Sequence, residues 1–158
     1  MKRVIALILT LALALAMFAG CSGSTHKSFT FNIDNGDKVK AKLETTGGEY
    51  DITIESPYAS AEVPFAIMVS DEVHTQGKFI HGEFYDQYVT AAQTDEKATV
   101  LDSATTKDGN EYVFWSYDGK EFNYVVKIAN SNTALLLANM VSEESAKACF
   151  ERLTITAE

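Results

Sequence analysis

Two cysteines, three histidines, one Ser-x-x-Lys pairing and a cluster of aromatics are the side chains in this 158-residue chain whose types suggest chemistry. A thiol can serve as nucleophile or redox group. Cys149, however, falls on the apolar stripe Ala146, Cys149, Phe150 and Leu153, where a free cysteine acts as a small hydrophobe of raised pKa. His26, His74 and His81 match neither a His-Glu-x-x-His pair nor a zinc knuckle, and they read as solvated loop histidines. Asp34-Asn35-Gly36-Asp37 offers the oxygen ligands that calcium favours. It lacks the ligand repeat and terminal Glu of a calcium loop, and reads as a hairpin turn. Ser24-Thr25-His26-Lys27 has the spacing in which a lysine activates a serine, but that chemistry needs a buried helix start with Ser-Asp-Asn and Lys-Thr-Gly companions. The sequence has neither companion. The residues therefore point to no catalytic group, no metal site and no cofactor.

Phe114, Trp115, Tyr117, Phe122 and Tyr124 place five aromatics on two adjoining strands. Alternation sends Phe114, Phe122 and Tyr124 to one face, and Trp115 with Tyr117 to the other. One set is core. Trp115 and Tyr117 are the ligand-binding candidates, because aromatics with a polar tip suit interfaces and can stack on a sugar or peptide. The alternative is that a helix covers them.

Cys21 calls for different chemistry. Lys2 and Arg3 precede the run Val4 to Phe18, fifteen residues with Thr10 as the one polar interruption. That is the length of a signal-peptide core, short of the ~20 residues of a membrane span. Phe18-Ala19-Gly20-Cys21 then resembles the lipobox of bacterial lipoproteins, with Phe where Leu is commonest. The resemblance implies diacylglyceryl transfer to the Cys21 thiol, cleavage before it, and a chain held by acyl groups on the extracytoplasmic face of the cell membrane. One acyl chain gives only marginal binding, so stable anchoring takes two. The whole chain is also similar to small lipoproteins of gut Firmicutes, a likeness that carries no function with it. With Cys21 lipidated, Cys149 has no partner for an intrachain disulfide.

Lys2 and Arg3 are the only charges in residues 1–20, so the remainder carries 11 basic against 22 acidic side chains. Residues 81–121 alone hold nine acidic and three basic ones. Such a chain is repelled by phosphate polymers, which argues against a nucleic-acid partner.

The elements that must position these groups follow from periodicity. Residues 1–20 are the signal peptide, 21–27 the lipidated cysteine and a polar tether, and 28–158 a single domain. Phe29, Phe31 and Ile33, then Val39, Ala41 and Leu43, then Tyr50, Ile52 and Ile54 alternate as three strands, expected to form a meander with its lysines facing its acids. Pro57 and Pro64 bracket an irregular segment before a buried strand, Phe65 to Val69. Asp71 to Gly77 reads as a turn and Lys78 to Ile80 as a short strand. Tyr85, Tyr88, Val89 and Ala92 have helical spacing. A short strand at Ala98 to Leu101 leads to two strands set by the Asp-Gly turns at Asp108-Gly109 and Asp118-Gly119. Ala134 to Val141 is apolar on both faces except Asn139, the pattern of a central strand. Ser142 caps a second helix, and Thr154 to Thr156 closes as a last strand.

This is an α+β chain, a mainly antiparallel sheet with about two helices. Over roughly the last 75 residues its element order is similar to the PsbP/Mog1-type α/β sandwich, a resemblance that brings no site residues. The function these features favour is a non-catalytic, membrane-anchored binding or accessory module for an envelope protein, peptide or glycan. The alternatives are a small envelope hydrolase using a carboxylate pair, or an acidic inhibitor or immunity protein.

Overall fold

The computed structural model describes residues 25–55 and 62–158. Cys21, the expected signal peptide, Ser24 and Pro57 lie outside them. The fold is α+β: ten strands, β1 (His26–Asn32), β2 (Lys38–Glu44), β3 (Tyr50–Thr53), β4 (Phe65–Val69), β5 (Glu72–His81), β6 (Ala98–Thr105), β7 (Glu111–Tyr117), β8 (Glu121–Lys127), β9 (Thr133–Asn139) and β10 (Leu153–Ala157), with helices α1 (Tyr85–Thr94) and α2 (Glu143–Arg152). The strands form a three-stranded sheet, β1-β2-β10, and a seven-stranded sheet, β3-β4-β5-β9-β8-β7-β6. All pairings are antiparallel.

Beside β2 the structure corrects the expected meander. β3 joins β4 in the large sheet, and the C-terminal β10 takes the place beside β2, pairing Ile155 with Ala41. The expected lysine–acid ladder is reduced accordingly. Lys27 of β1 reaches Asp51 of β3 at 2.9 Å across the two sheets, and Lys40 lies 3.7 Å from Glu158. β1 starts at His26, so the last two residues of the expected tether, His26 and Lys27, are already paired with Glu44 and Leu43.

β5 is also longer than its hydropathy suggests, running ten residues where a turn and a short strand were expected. The turn shrinks to Ser70-Asp71, both left-handed at φ 49° and 66°. The inward positions of the added stretch are Thr75 and Gly77. Thr75 accepts a hydrogen bond from buried Asn139, and Gly77 leaves room for the Phe65 ring lying across it. A Cβ at Gly77 would collide with that ring.

The elements stack in three layers. The small sheet and α2 cover one face of the large sheet, enclosing Phe31, Val39, Leu43, Ile52, Phe65, Ile67, Phe114, Val126, Leu135 and Cys149. Burying a Phe or Leu of this kind contributes about 1.5–3 kcal/mol each. Phe114, Tyr124 and Phe150 stack in series there, with ring centroids 4.2 and 4.0 Å apart. Helix α1 lies on the opposite face, where Tyr85 and Ala92 meet Val113, Val125 and Ala134. β9 sits at the centre of the large sheet, as its two apolar faces require. Its one buried amide is fully used: Asn139 donates to Thr75 and Ser145 Oγ, and accepts from the Val141 and Ser142 N–H groups. No helix among the described residues is long and apolar enough to cross a membrane.

Candidate functional site

The two Asp-Gly turns set the register that builds the site. Asp118 and Gly119 are both left-handed, φ 54° and 64°, the backbone twist that suits a tight hairpin. The turn pairs Trp115 with Asn123 and Tyr117 with Glu121. β8 and β9 then pair Asn123 with Ala138, and β9 and β5 pair Ala138 with Gln76. Directly paired residues of antiparallel strands share a face. Trp115, Asn123, Ala138 and Gln76 therefore form one row across four strands, on the α1 side of the sheet.

Helix α1 is short, and it covers only part of that face. Beside it lies a cleft of about 440 Å³ lined by Trp115 and Tyr117 of β7, Glu121 and Asn123 of β8, Leu136 and Ala138 of β9, Gln76 and Lys78 of β5, and Tyr88 of α1. The volume falls within the ~300–1,000 Å³ of small-ligand sites. A second depression of about 350 Å³, lined by Ile80, Phe84, Gln87, Tyr88 and Ala91, continues from Tyr88 along the helix flank.

The expectation for Trp115 offered exposure or cover, and the structure gives both. Trp115 is half-buried, packed against the cluster formed by Tyr85, Ala92, Val113, Val125 and Ala134, and it also lines the cleft. Tyr117 and Tyr88 are each 37% exposed. The Lys97 ammonium sits 5.9 Å from the Tyr117 ring centroid and 3.7 Å from the Asp118 carboxylate. Tyr88, Asn123 and Gln76 were not foreseen as site residues. Tyr88 reads in sequence as part of the helix stripe, and the two amides carry no signal until the register is known.

Asn123 is 8% exposed as a residue, and its carboxamide is not tied to the core network that holds Asn139 and Asn110. It is not sealed off, because among the described residues no fully enclosed side-chain nitrogen or oxygen lacks a partner. Its carboxamide therefore opens to the cleft. An amide open in this way keeps donors and acceptors available to whatever enters the cleft.

Elsewhere, the groups suspected of chemistry are engaged in holding the fold. Asp37 accepts hydrogen bonds from the Thr133 hydroxyl at 2.7 Å and the Asn132 N–H at 2.8 Å, while Asn35 donates to Thr133. The Asp34–Asp37 segment is thus a hairpin turn clipped to the β8–β9 loop. The Thr133 hydroxyl foremost, with smaller help from the Asn132 N–H and Asn35, holds the Asp37 carboxyl below the usual carboxylate range despite some desolvation. His74 Nδ1 lies 2.8 Å from Ser145 Oγ, and His81 Nε2 lies 2.9 Å from Asp34, at opposite ends of β5. Among the described residues no group of three or more His, Cys, Asp or Glu is arranged to hold a metal ion. Cys149 is 1% exposed. Burial pushes its thiol above the ordinary value, offset in part by the Thr75 and Ser145 hydroxyls and by Arg152. Lys27 of the Ser-x-x-Lys pairing lies on strand β1, not on a helix.

No protein-family model matches this chain, and a search of the curated proteins returns no match either.

Proposed function

We propose that the chain is a lipid-anchored, extracytoplasmic module of the cell envelope that binds its ligand without transforming it, in the cleft between α1 and the Trp115–Gln76 row. The observation that carries this reading is the convergence of Trp115, Tyr117 and Tyr88 around Asn123, whose carboxamide opens to the cleft. Concave sites with aromatic walls and a few convergent polar groups are the usual form of ligand pockets. Among the described residues the lining contains a single carboxylate, Glu121. Acid–base hydrolysis of a glycosidic bond uses two, about 5–9.5 Å apart, so the cleft favours binding over that chemistry. The Phe18-Ala19-Gly20-Cys21 signal supports the anchored location.

Trp115 is the sole tryptophan, so intrinsic fluorescence reports on this site alone. The test uses the full-length protein in detergent micelles, immobilised and exposed to peptides and glycans released from solubilised envelopes. Trp115→Ala and, independently, the exposed Tyr117→Ala should each weaken retention by about tenfold or more, the scale of an aromatic anchor residue. Circular dichroism should show the fold retained. Retention unchanged in both folded variants would overturn the reading.

A further inference from the structure

We infer that the cleft is built for an uncharged, linear saccharide, a step that rests on the binding role just proposed and names its ligand class. Three features of the site lead there.

The first is the floor. It is made by β7, β8, β9 and β5, all interior to the seven-stranded sheet. Their backbone N–H and C=O groups are already paired in the ladders. A peptide usually gains affinity by adding main-chain hydrogen bonds at a strand edge, and this floor has no edge to offer. An extended peptide would bring its own backbone polar groups into a site that cannot meet most of them. A saccharide has no such backbone.

The second is the polar inventory. Asn123 and Gln76 lie two strands apart in the same row, and neither carboxamide bonds to a described residue. Each amide offers both donors and acceptors, which matches hydroxyl groups that also do both. Among the described residues the lining's charges are one carboxylate, Glu121, and one ammonium, Lys78. Their signs cancel, so the site selects for neither an anionic nor a cationic ligand.

The third is the arrangement of rings. Trp115 and Tyr117 stand at one end, Tyr88 is shared by the cleft and its continuation, and Phe84 lies in the far part, 38% exposed. Rings with an apolar face and, for Trp and Tyr, a polar tip can pack on the C–H faces of successive sugar units while their tips bond hydroxyls. The cleft and its continuation, about 440 and 350 Å³ with Tyr88 common to both, present rings in two successive compartments, which points to an oligomer.

The experiment titrates full-length protein in micelles with maltotriose, cellotriose and N,N′,N″-triacetylchitotriose, and with acetyl-trialanine amide as the peptide probe. At least one trisaccharide should shift Trp115 emission saturably, with an affinity that changes less than twofold between about 0.1 M and about 1 M NaCl (screening lengths of about 10 and 3 Å). Asn123→Ala should weaken that binding about tenfold. Its melting temperature should be unchanged or raised, because the deleted amide has no internal bond to lose. Gln76→Ala, at a half-buried position, is the second variant.

Saturation by the peptide alone would overturn the saccharide assignment while leaving the binding cleft standing. No response to any trisaccharide would also overturn it. If acrylamide then failed to quench Trp115, the binding cleft would fall with it.

Discussion

At the scale of single residues, the most deeply buried amides are bonded within the fold, and the buried asparagine that is not opens to the cleft. Asn139 and Asn110 are 1% and 3% exposed and use both ends of their amides. Asn110 donates to the Ile155 carbonyl and accepts from the Ala129 N–H, tying the β6–β7 turn to β10 and the end of β8. Asn123, comparably buried, has no such bond among described residues. Cys149 belongs with the bonded group, and its titration supplies a prediction. Its thiol ordinarily ionises near 9.0, and burial raises that value in the folded chain. The folded state therefore holds the proton more tightly than the unfolded state. Stability from this source is fully present below pH 9 and falls as pH rises through the folded value. Burial likewise raises Tyr124, and raises Tyr112 to about 12 with help from its hydrogen bond to Asp102, so a further loss begins above pH 10. Thermal melts from pH 7 to 11 should show a decline that starts near pH 9. Cys149→Ala should melt lower at pH 7 but lose less between pH 9 and 10. Parallel curves for the two proteins would show that the thiol does not titrate with unfolding.

At the scale of elements, what was legible in the sequence depended on whether local chemistry alone sets the structure. The Asp-Gly turns fix the β6–β7 and β7–β8 hairpins. The 3.6-residue spacing of Tyr85, Tyr88, Val89 and Ala92 fixes α1, and the hydroxyl of Ser142 fixes the start of α2. Strand partnership at β3 was not legible, because alternation reveals that Tyr50 to Thr53 is a strand but not which sheet receives it. That choice was made by β10, more than a hundred residues away. Only Lys78 to Ile80 of β5 and Ala98 to Leu101 of β6 were legible; the rest of β5 was hidden because its inward positions are Thr75 and Gly77, and the rest of β6 because it is exposed edge. The site shows the same division: its aromatics were visible by type, its amides only through register. The Ser142 cap can be tested directly. Its Oγ accepts the Ser145 N–H at 3.1 Å, with Glu143 and Glu144 in the first turn. Ser142→Ala should cost about 1 kcal/mol, and Ser142→Gly only about a few tenths of a kcal/mol, measured by urea denaturation. Because α2 lies on the face opposite the cleft, Trp115 emission in the folded variant should match the native protein. A changed emission would mean that the two faces are coupled.

At the scale of the whole molecule, the way the chain enters the domain orients the cleft relative to its proposed anchor. The Thr25 carbonyl accepts the Thr45 N–H, the Thr45 carbonyl accepts the Tyr50 N–H, and the Glu49 carbonyl accepts the Ser70 N–H. The start of β1 is thereby bonded to the same end of the large sheet that carries the β4–β5 turn, the end of β9 and the Tyr117 turn. Met140 and Val141, just past β9, are 67% and 53% exposed there. Three residues separate Cys21 from Thr25, and the four steps along the chain reach at most about 14 Å when fully extended. If Cys21 is acylated, the Trp115–Tyr117 end of the groove faces the lipid surface and the Phe84 end points away from it. Replacing the thiol tests the premise. Cys21→Ser removes the acylation site outside the folded domain. It should move the protein from the membrane fraction to the soluble fraction, or leave an uncleaved precursor, since a Ser hydroxyl cannot take the thioether-linked diacylglyceryl group. Its melting temperature and its Trp115 response to a bound trisaccharide should match those of the native chain, separating the anchor from the cleft. A Cys21→Ser protein that is processed normally and still sediments with membranes after a high-salt wash would remove the lipid anchor. The cleft would then have to be understood without a fixed distance from the membrane.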